Sequence, residues 1–188
     1  MKLGAAGMFV PASVHVSESC AAQSIGANDQ IRVGVIGLGS RGFNLVDAFL
    51  ANTDARITAI CDVDHLHYRD NPWGKGTSYG LNSAATKVVG KQGDQGGLLK
   101  TSDYRRLCES EKVDVVVVAT PDHWHAHCTL EAINNGKDVY CEKPVTHTFA
   151  EGQLVYRAVE SAGRVFQTGS QQRSDRKFRR AVELVRNG

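Results

Sequence analysis

Apolar and polar positions along this chain change their period several times, and each change marks an element. Ile31, Val33, Val35 and Ile36 form a short β-branched run that predicts a buried strand. Leu45, Val46, Phe49 and Leu50 then recur at helical spacing over 43–50. Residues 56–61 read as a second strand ending on Asp62. The pattern is weakest over 65–100, where two turn-rich stretches, 71–76 and 90–97, flank a short helix over 82–89 and precede a short third strand at Leu98 and Leu99. Ser102 is placed to cap a helix over 103–108, and the nearly continuous apolar run 113–119 predicts a central strand. A helix over 124–135 stops at Gly136, and a strand follows over 138–141. Thr148 and Glu151 have the spacing of a capping box. They open a helix with Leu154, Val155, Ala158 and Val159 inward, ended by Gly163. A last strand (164–168) and a last helix (175–187) complete the series.

Strands alternating with helices predict an α/β fold, a doubly wound parallel sheet with helices on both faces, over 29–188. Residues 1–28 stand outside it. Lys2, a mildly apolar stretch and Pro11 fit the back half of an export signal, and equally a disordered tail. The first places the protein in the periplasm, the second in the cytoplasm.

Composition narrows this only by exclusion. The length of 188 residues suits one ordinary domain, and 41% hydrophobic with 22% charged residues is the balance of a soluble globular protein. A formal charge of +2 builds no field that calls for a nucleic-acid or membrane partner. Arg173, Arg176, Lys177, Arg179, Arg180 and Arg186 accompany an apolar face of Phe178, Ala181, Val182 and Val185, so they read as the solvated side of an amphipathic helix. The five cysteines are scattered, odd in number and without a C-x-x-C pair, which argues for reduced core residues rather than disulfides or a zinc site.

The chemistry gathers at the ends of the strands. Gly37-Leu38-Gly39-Ser40-Arg41-Gly42 is a G-x-G-x-x-G between the first strand and the first helix. Gly37 gives the tight turn, Gly39 the close approach of backbone to a pyrophosphate, and Gly42 the packing of helix on strand. Asp62 lies 20 positions beyond Gly42 at the end of the second strand, where a carboxylate accepts hydrogen bonds from the ribose hydroxyls of an adenosine. Strand, glycine loop, helix, strand and acid in this order predict a dinucleotide site. The acid favours NAD over NADP, although Arg41 stands near enough in sequence to approach a 2′-phosphate. Further polar clusters follow at residues 120–125, at Glu142-Lys143-Pro144 and at residues 169–173. His123, His125 and His127 invite a metal reading, but i, i+2 spacing on a helix splays the rings, unlike the i, i+4 pair that holds zinc.

Taken together, the glycine loop, Cys61-Asp62-Val63-Asp64, residues 120–125, Glu142-Lys143-Pro144 and Gly169-Ser170-Gln171-Gln172-Arg173 resemble the Gfo/Idh/MocA oxidoreductases over 31–188. The resemblance implies a Rossmann domain binding NAD, less readily NADP, and acting on a sugar or polyol. It implies that Lys143, buried at the strand end, reaches the nicotinamide ribose and the reacting hydroxyl. Glu142 is then its cofactor-side neighbour, while Thr120, Pro121 and His125 line the nicotinamide half. The family's second α/β domain and substrate pocket would begin where this chain ends, so a truncated product is expected, binding NAD but catalysing little, with an exposed apolar strip of Phe178, Val182 and Val185. A homo-oligomer is expected of the full-length enzyme. Two other readings stay open: a redox-neutral glycoside hydrolase or lyase that keeps its NAD, and a non-catalytic NAD-binding module.

Overall fold

Strand β1 (Ile31–Ile36) is the centre of the sheet because its valines bury on one face and Ile36 on the other. The computed structural model describes residues 30–69, 76–94 and 97–188. Both readings of the leader, and the turn at 71–75, lie outside them. After β1 come α1 (Ser40–Leu50), β2 (Ala55–Cys61), the antiparallel pair β3 (His67–Arg69) and β4 (Thr77–Tyr79), and α2 (Leu81–Gln92). The second half is β5 (Leu99–Thr101), α3 (Tyr104–Cys108), β6 (Val115–Val118), α4 (His125–Asn134), β7 (Asp138–Glu142), α5 (Phe149–Ala162), β8 (Phe166–Gly169) and α6 (Arg176–Asn187). Six strands make one parallel sheet in the order β5-β2-β1-β6-β7-β8. The chain turns outward in both directions from β1 and β6, so the topological switch point lies between those two strands.

The two faces of the sheet divide the core into two layers, and a register shift opposite Val33 and Gly34 brings Ile57 and Ile60 of β2 to the same face. Val33, Val35, Ile57, Ile60 and Val117 pack beneath α1 and α2 with Phe43, Leu45, Val46, Leu81, Ala84 and Val88. Ile36, Ala59, Val116, Val118 and Val139 meet Leu107, Ala132 and Ile133 from α3 and α4 on the other face. Each such side chain taken from water contributes roughly 1.5–3 kcal/mol. This is the predicted doubly wound sheet. All four described cysteines, Cys61, Cys108, Cys128 and Cys141, are reduced and lie in the second layer.

Several local expectations give way. Helix α1 begins at Ser40 rather than Phe43, because its first turn absorbs the second half of the glycine motif. Asp103, not Ser102, caps α3: its backbone stays extended and its carboxylate accepts from Arg105 N at 3.0 Å. Residues 67–69 and 77–79 pair as antiparallel strands where loop was expected, anchored where Tyr79 packs edge-on against Phe43 with ring centroids 5.1 Å apart. In α5 the capping box forms as expected, and Val155 is buried with Ala158 and Val159 packed on the core. Leu154, however, is 55% exposed. One residue along a helix is a rotation of about 100°, so Leu154 cannot share the face set by Val155 and its neighbours at i+3 and i+4. Helix α6 buries no residue, and Phe178, Val182 and Val185 are all exposed.

Candidate functional site

The glycine loop leaves β1 at the switch point. Gly37 has φ +90°, and a Cβ there would stand 2.6 Å from the backbone of Ala119 and Thr120. At Gly42 a Cβ would stand 1.9 Å from the Gly37 carbonyl oxygen. Both glycines are therefore required by close backbone approach as well as by the turn. Gly39 is the extended N-cap residue of α1, whose first-turn N–H groups lack intrahelical acceptors. Leu38 is fully buried and takes part only through its backbone: its N–H donates to Asp62 Oδ2 at 2.5 Å. Asp62 Oδ1 also accepts from Asp64 N at 2.9 Å. The acid at the end of β2 is thus tied directly to the glycine loop.

These groups edge a cleft of about 740 Å³ beyond the carboxyl ends of the strands. Gly37, Gly39, Ser40, Arg41, Asp62, Thr120 and Pro121 all contribute to its wall. Thr120 Oγ1 is buried without a hydrogen-bond partner among the described residues. A second wall, not anticipated from the sequence, is aromatic: Tyr104 and Trp124 face each other with centroids 6.2 Å apart, beside His123. Both follow strand ends at the start of a helix, and that position was the available signal. Cys61 and Cys128 also reach the cleft, but burial pushes both thiols up to about 12, so they are not thiolate nucleophiles at neutral pH.

Glu142 and Lys143, expected beside the cofactor, do not contribute to the cleft wall; they stand at the end of β7 and join the cleft through Arg41. Glu142 is 5% exposed and its Oε1 accepts from Arg41 Nη2 at 2.5 Å and Nε at 2.8 Å. Arg41 is therefore engaged across β6 with β7 rather than free for a 2′-phosphate. Tyr140 lies against the same carboxylate, and burial together with that charge pushes its phenol up. Lys143 is exposed, and its ammonium has no partner among the described residues; the burial expected around it is not found. The peptide bond from Lys143 to Pro144 is cis.

His125 is placed differently from the expectation. Its ring is 2% exposed and stands behind the cleft wall instead of lining it. Nδ1 lies 2.5 Å from the Pro144 carbonyl oxygen and Nε2 lies 2.9 Å from that of Thr120. A neutral ring donates to one of these oxygens; only the doubly protonated ring donates to both. His127 packs instead against Trp124 at 5.6 Å, and His123 lies 3.7 Å from the Asp122 carboxylate, so the three rings diverge. The polar segment after β8 forms a short 3-10 turn (Gln171–Ser174), with Gln171 at φ +41°, and does not reach the cleft.

Against known proteins, a family described as oxidoreductases with an NAD-binding Rossmann fold matches residues 31–170. The chain belongs to the Gfo/Idh/MocA oxidoreductase family. Among curated relatives, a glycosyl hydrolase family 109 protein from Streptomyces niveus is 41% identical over 61% of this chain and 21% of its own length. Glycosyl hydrolase family 109 protein 2 from Shewanella sp. (strain ANA-3) is 36% identical over 65% of this chain and 25% of its own. The matched part of the chain thus spans about a quarter of such relatives. Scyllo-inositol dehydrogenase from Lactobacillus casei, solved with NAD(H) and scyllo-inositol, superposes with a TM-score of 0.68 over 85% of this chain and 42% of its own. At 20% identity that likeness establishes the fold alone.

The residues present suit the dinucleotide of the family's Rossmann domain. A cradle that excludes any side chain at Gly37, an acid at the end of β2 and an orphaned hydroxyl at Thr120 meet at one cleft. No helix among the described residues is long and apolar enough to cross a membrane.

Proposed function

We propose that the cleft binds NAD and that the protein oxidises a hydroxyl-bearing carbon of a sugar or polyol. The observation that carries this reading is the meeting of Gly37, Asp62 and the unpartnered Thr120 hydroxyl at a cleft of about 740 Å³. That is the size of a cofactor pocket. The first turn of α1 offers its free N–H groups to the diphosphate. Asp62 accepts from the adenosine ribose and disfavours a 2′-phosphate, so NAD is preferred over NADP. The aromatic wall of Tyr104 and Trp124 covers apolar surface of the nucleotide. When bound, NAD supplies the hydride acceptor. Lys143 Nζ, at the tip of β7, takes as the free amine the proton of the reacting hydroxyl while the carbon gives up its hydride, and Glu142 keeps that tip in place through Arg41. Support for the substrate class comes from the Lactobacillus casei neighbour, whose structure holds NAD(H) with scyllo-inositol.

A second reading has an observation of its own. Both curated relatives described above carry a glycosyl hydrolase name at 36% and 41% identity. In that reading NAD would take a hydride from the sugar and later return it, and between the two transfers the aglycone would leave as its alcohol and water would take its place at the anomeric carbon. One experiment separates the two: the complete gene product is supplied with NAD and either scyllo-inositol or 4-nitrophenyl glycosides. NADH accumulating in step with product supports net oxidation. Nitrophenol release with the cofactor unchanged in amount supports the redox-neutral reaction.

A further inference from the structure

We propose that His125 is a positioning residue for Lys143, acting through the Pro144 carbonyl. The inference rests on the reading of Lys143 given above. Lys143 is exposed and its ammonium has no partner among the described residues, so its own contacts do not set its direction. Its two neighbours are fixed instead. Glu142 is held on one side by the paired contacts from Arg41, at 2.5 and 2.8 Å. Pro144 is held on the other by His125 Nδ1, at 2.5 Å from its carbonyl oxygen.

The far side of the same ring meets the Thr120 carbonyl oxygen at 2.9 Å. His125 is therefore a crossbar between the loop after β6 and the loop after β7. One loop carries the orphaned Thr120 hydroxyl of the cleft wall and the other carries Lys143. A hydrophobic residue would fill the same buried volume at the start of α4. It would, however, remove the ring's N–H and both of its polar contacts, and nothing would fix the distance between the loops. Polar contacts on both sides of a fully enclosed ring are what positioning requires and packing alone does not.

The test compares His125→Phe, which keeps an aromatic ring and removes both ring nitrogens, with His125→Gln, whose amide can still donate to one carbonyl. Amide hydrogen exchange is read by segment on this chain, NAD affinity by calorimetry, and turnover on the complete gene product. In His125→Phe, exchange at Lys143 and Val145 should rise about tenfold while β6 and β7 keep their protection. NAD affinity should change by less than about threefold while kcat falls about 100-fold, as expected of a misplaced catalytic group. His125→Gln should recover part of both losses. The double variant with Lys143→Met should lose no more activity than Lys143→Met alone. A rise in exchange spread evenly over the sheet would overturn the inference in favour of a purely structural ring, as would unchanged exchange at Lys143. If His125→Phe fails to fold, the same readouts on His125→Gln decide. Turnover retained in Lys143→Met defeats the reading of Lys143 itself and the inference with it. Turnover lost there but kept in His125→Phe defeats the inference alone.

Discussion

The two edges of one sheet handle their polar groups in opposite ways. At the amino edge they satisfy one another. Arg32 binds Asp114 through Nε at 2.9 Å and Nη2 at 2.5 Å, and the Arg32 backbone N–H donates to the same carboxylate at 2.9 Å. Thr58 Oγ1 donates to the Lys112 carbonyl at 2.6 Å, and Lys137 Nζ donates to that of Ser110 at 2.9 Å. At the carboxyl edge the contacts stop short of closure. Asp62 and Glu142 are fixed by the loops they serve, yet Thr120 Oγ1 has no partner and Lys143 reaches into solvent. Hydrogen-bonding capacity left over around a concave wall is what a ligand uses; capacity used up within the sheet serves the fold. Substitutions at the carboxyl edge should therefore lower affinity, and those at the amino edge stability alone.

The largest effect is expected at Gly37. Valine there would place a Cβ 2.6 Å from the Ala119–Thr120 backbone at φ +90°. The strain should cost about 3 kcal/mol of stability and abolish measurable NAD binding. Urea unfolding and calorimetry check the two halves, and wild-type affinity in a folded Gly37→Val variant would break the proposed geometry. Next comes Asp62→Ala, which removes both the ribose acceptor and the bond to Leu38 N. NAD affinity should fall about 10- to 100-fold, with the loss for NADP smaller, so the ratio of the two constants sharpens the assignment.

The smallest effect belongs to the amino edge. Burial pushes the Asp114 carboxyl up, but the hydrogen bonds and charge of Arg32 outweigh it and hold the group below its ordinary value. Its folded pKa is depressed, so the pair's stabilisation is present above the unfolded value of about 3.9 and is lost as pH falls through the folded one. Asp114→Asn should flatten the acid limb of stability against pH while leaving NAD affinity at neutral pH unchanged. Thermal unfolding from pH 2 to 7 is the measurement.

What was legible in the sequence follows the range of each interaction. The glycine loop, the strand valines and the capping box at Thr148 are local patterns, and they stand where the periodicity put them. Asp62 was legible because a βαβ unit fixes its separation from the loop. The Arg41–Glu142 pair joins residues 101 positions apart, and no local pattern announces it. His125 was expected to line the nicotinamide half because the family resemblance implies it. Only the fold reveals that its ring turns toward two carbonyls and lies behind the wall. The pairing of β3 with β4 was obscured by turn-forming residues in the sequence, which do not show whether their flanks pair.

The central claim is that this cleft is an NAD site, and titration calorimetry of the wild-type chain with NAD and with NADP tests it most directly. Saturable binding of one NAD per chain, tighter than NADP and lost in Gly37→Val, is the predicted result. No heat with either nucleotide, or binding that survives in Gly37→Val, would contradict it.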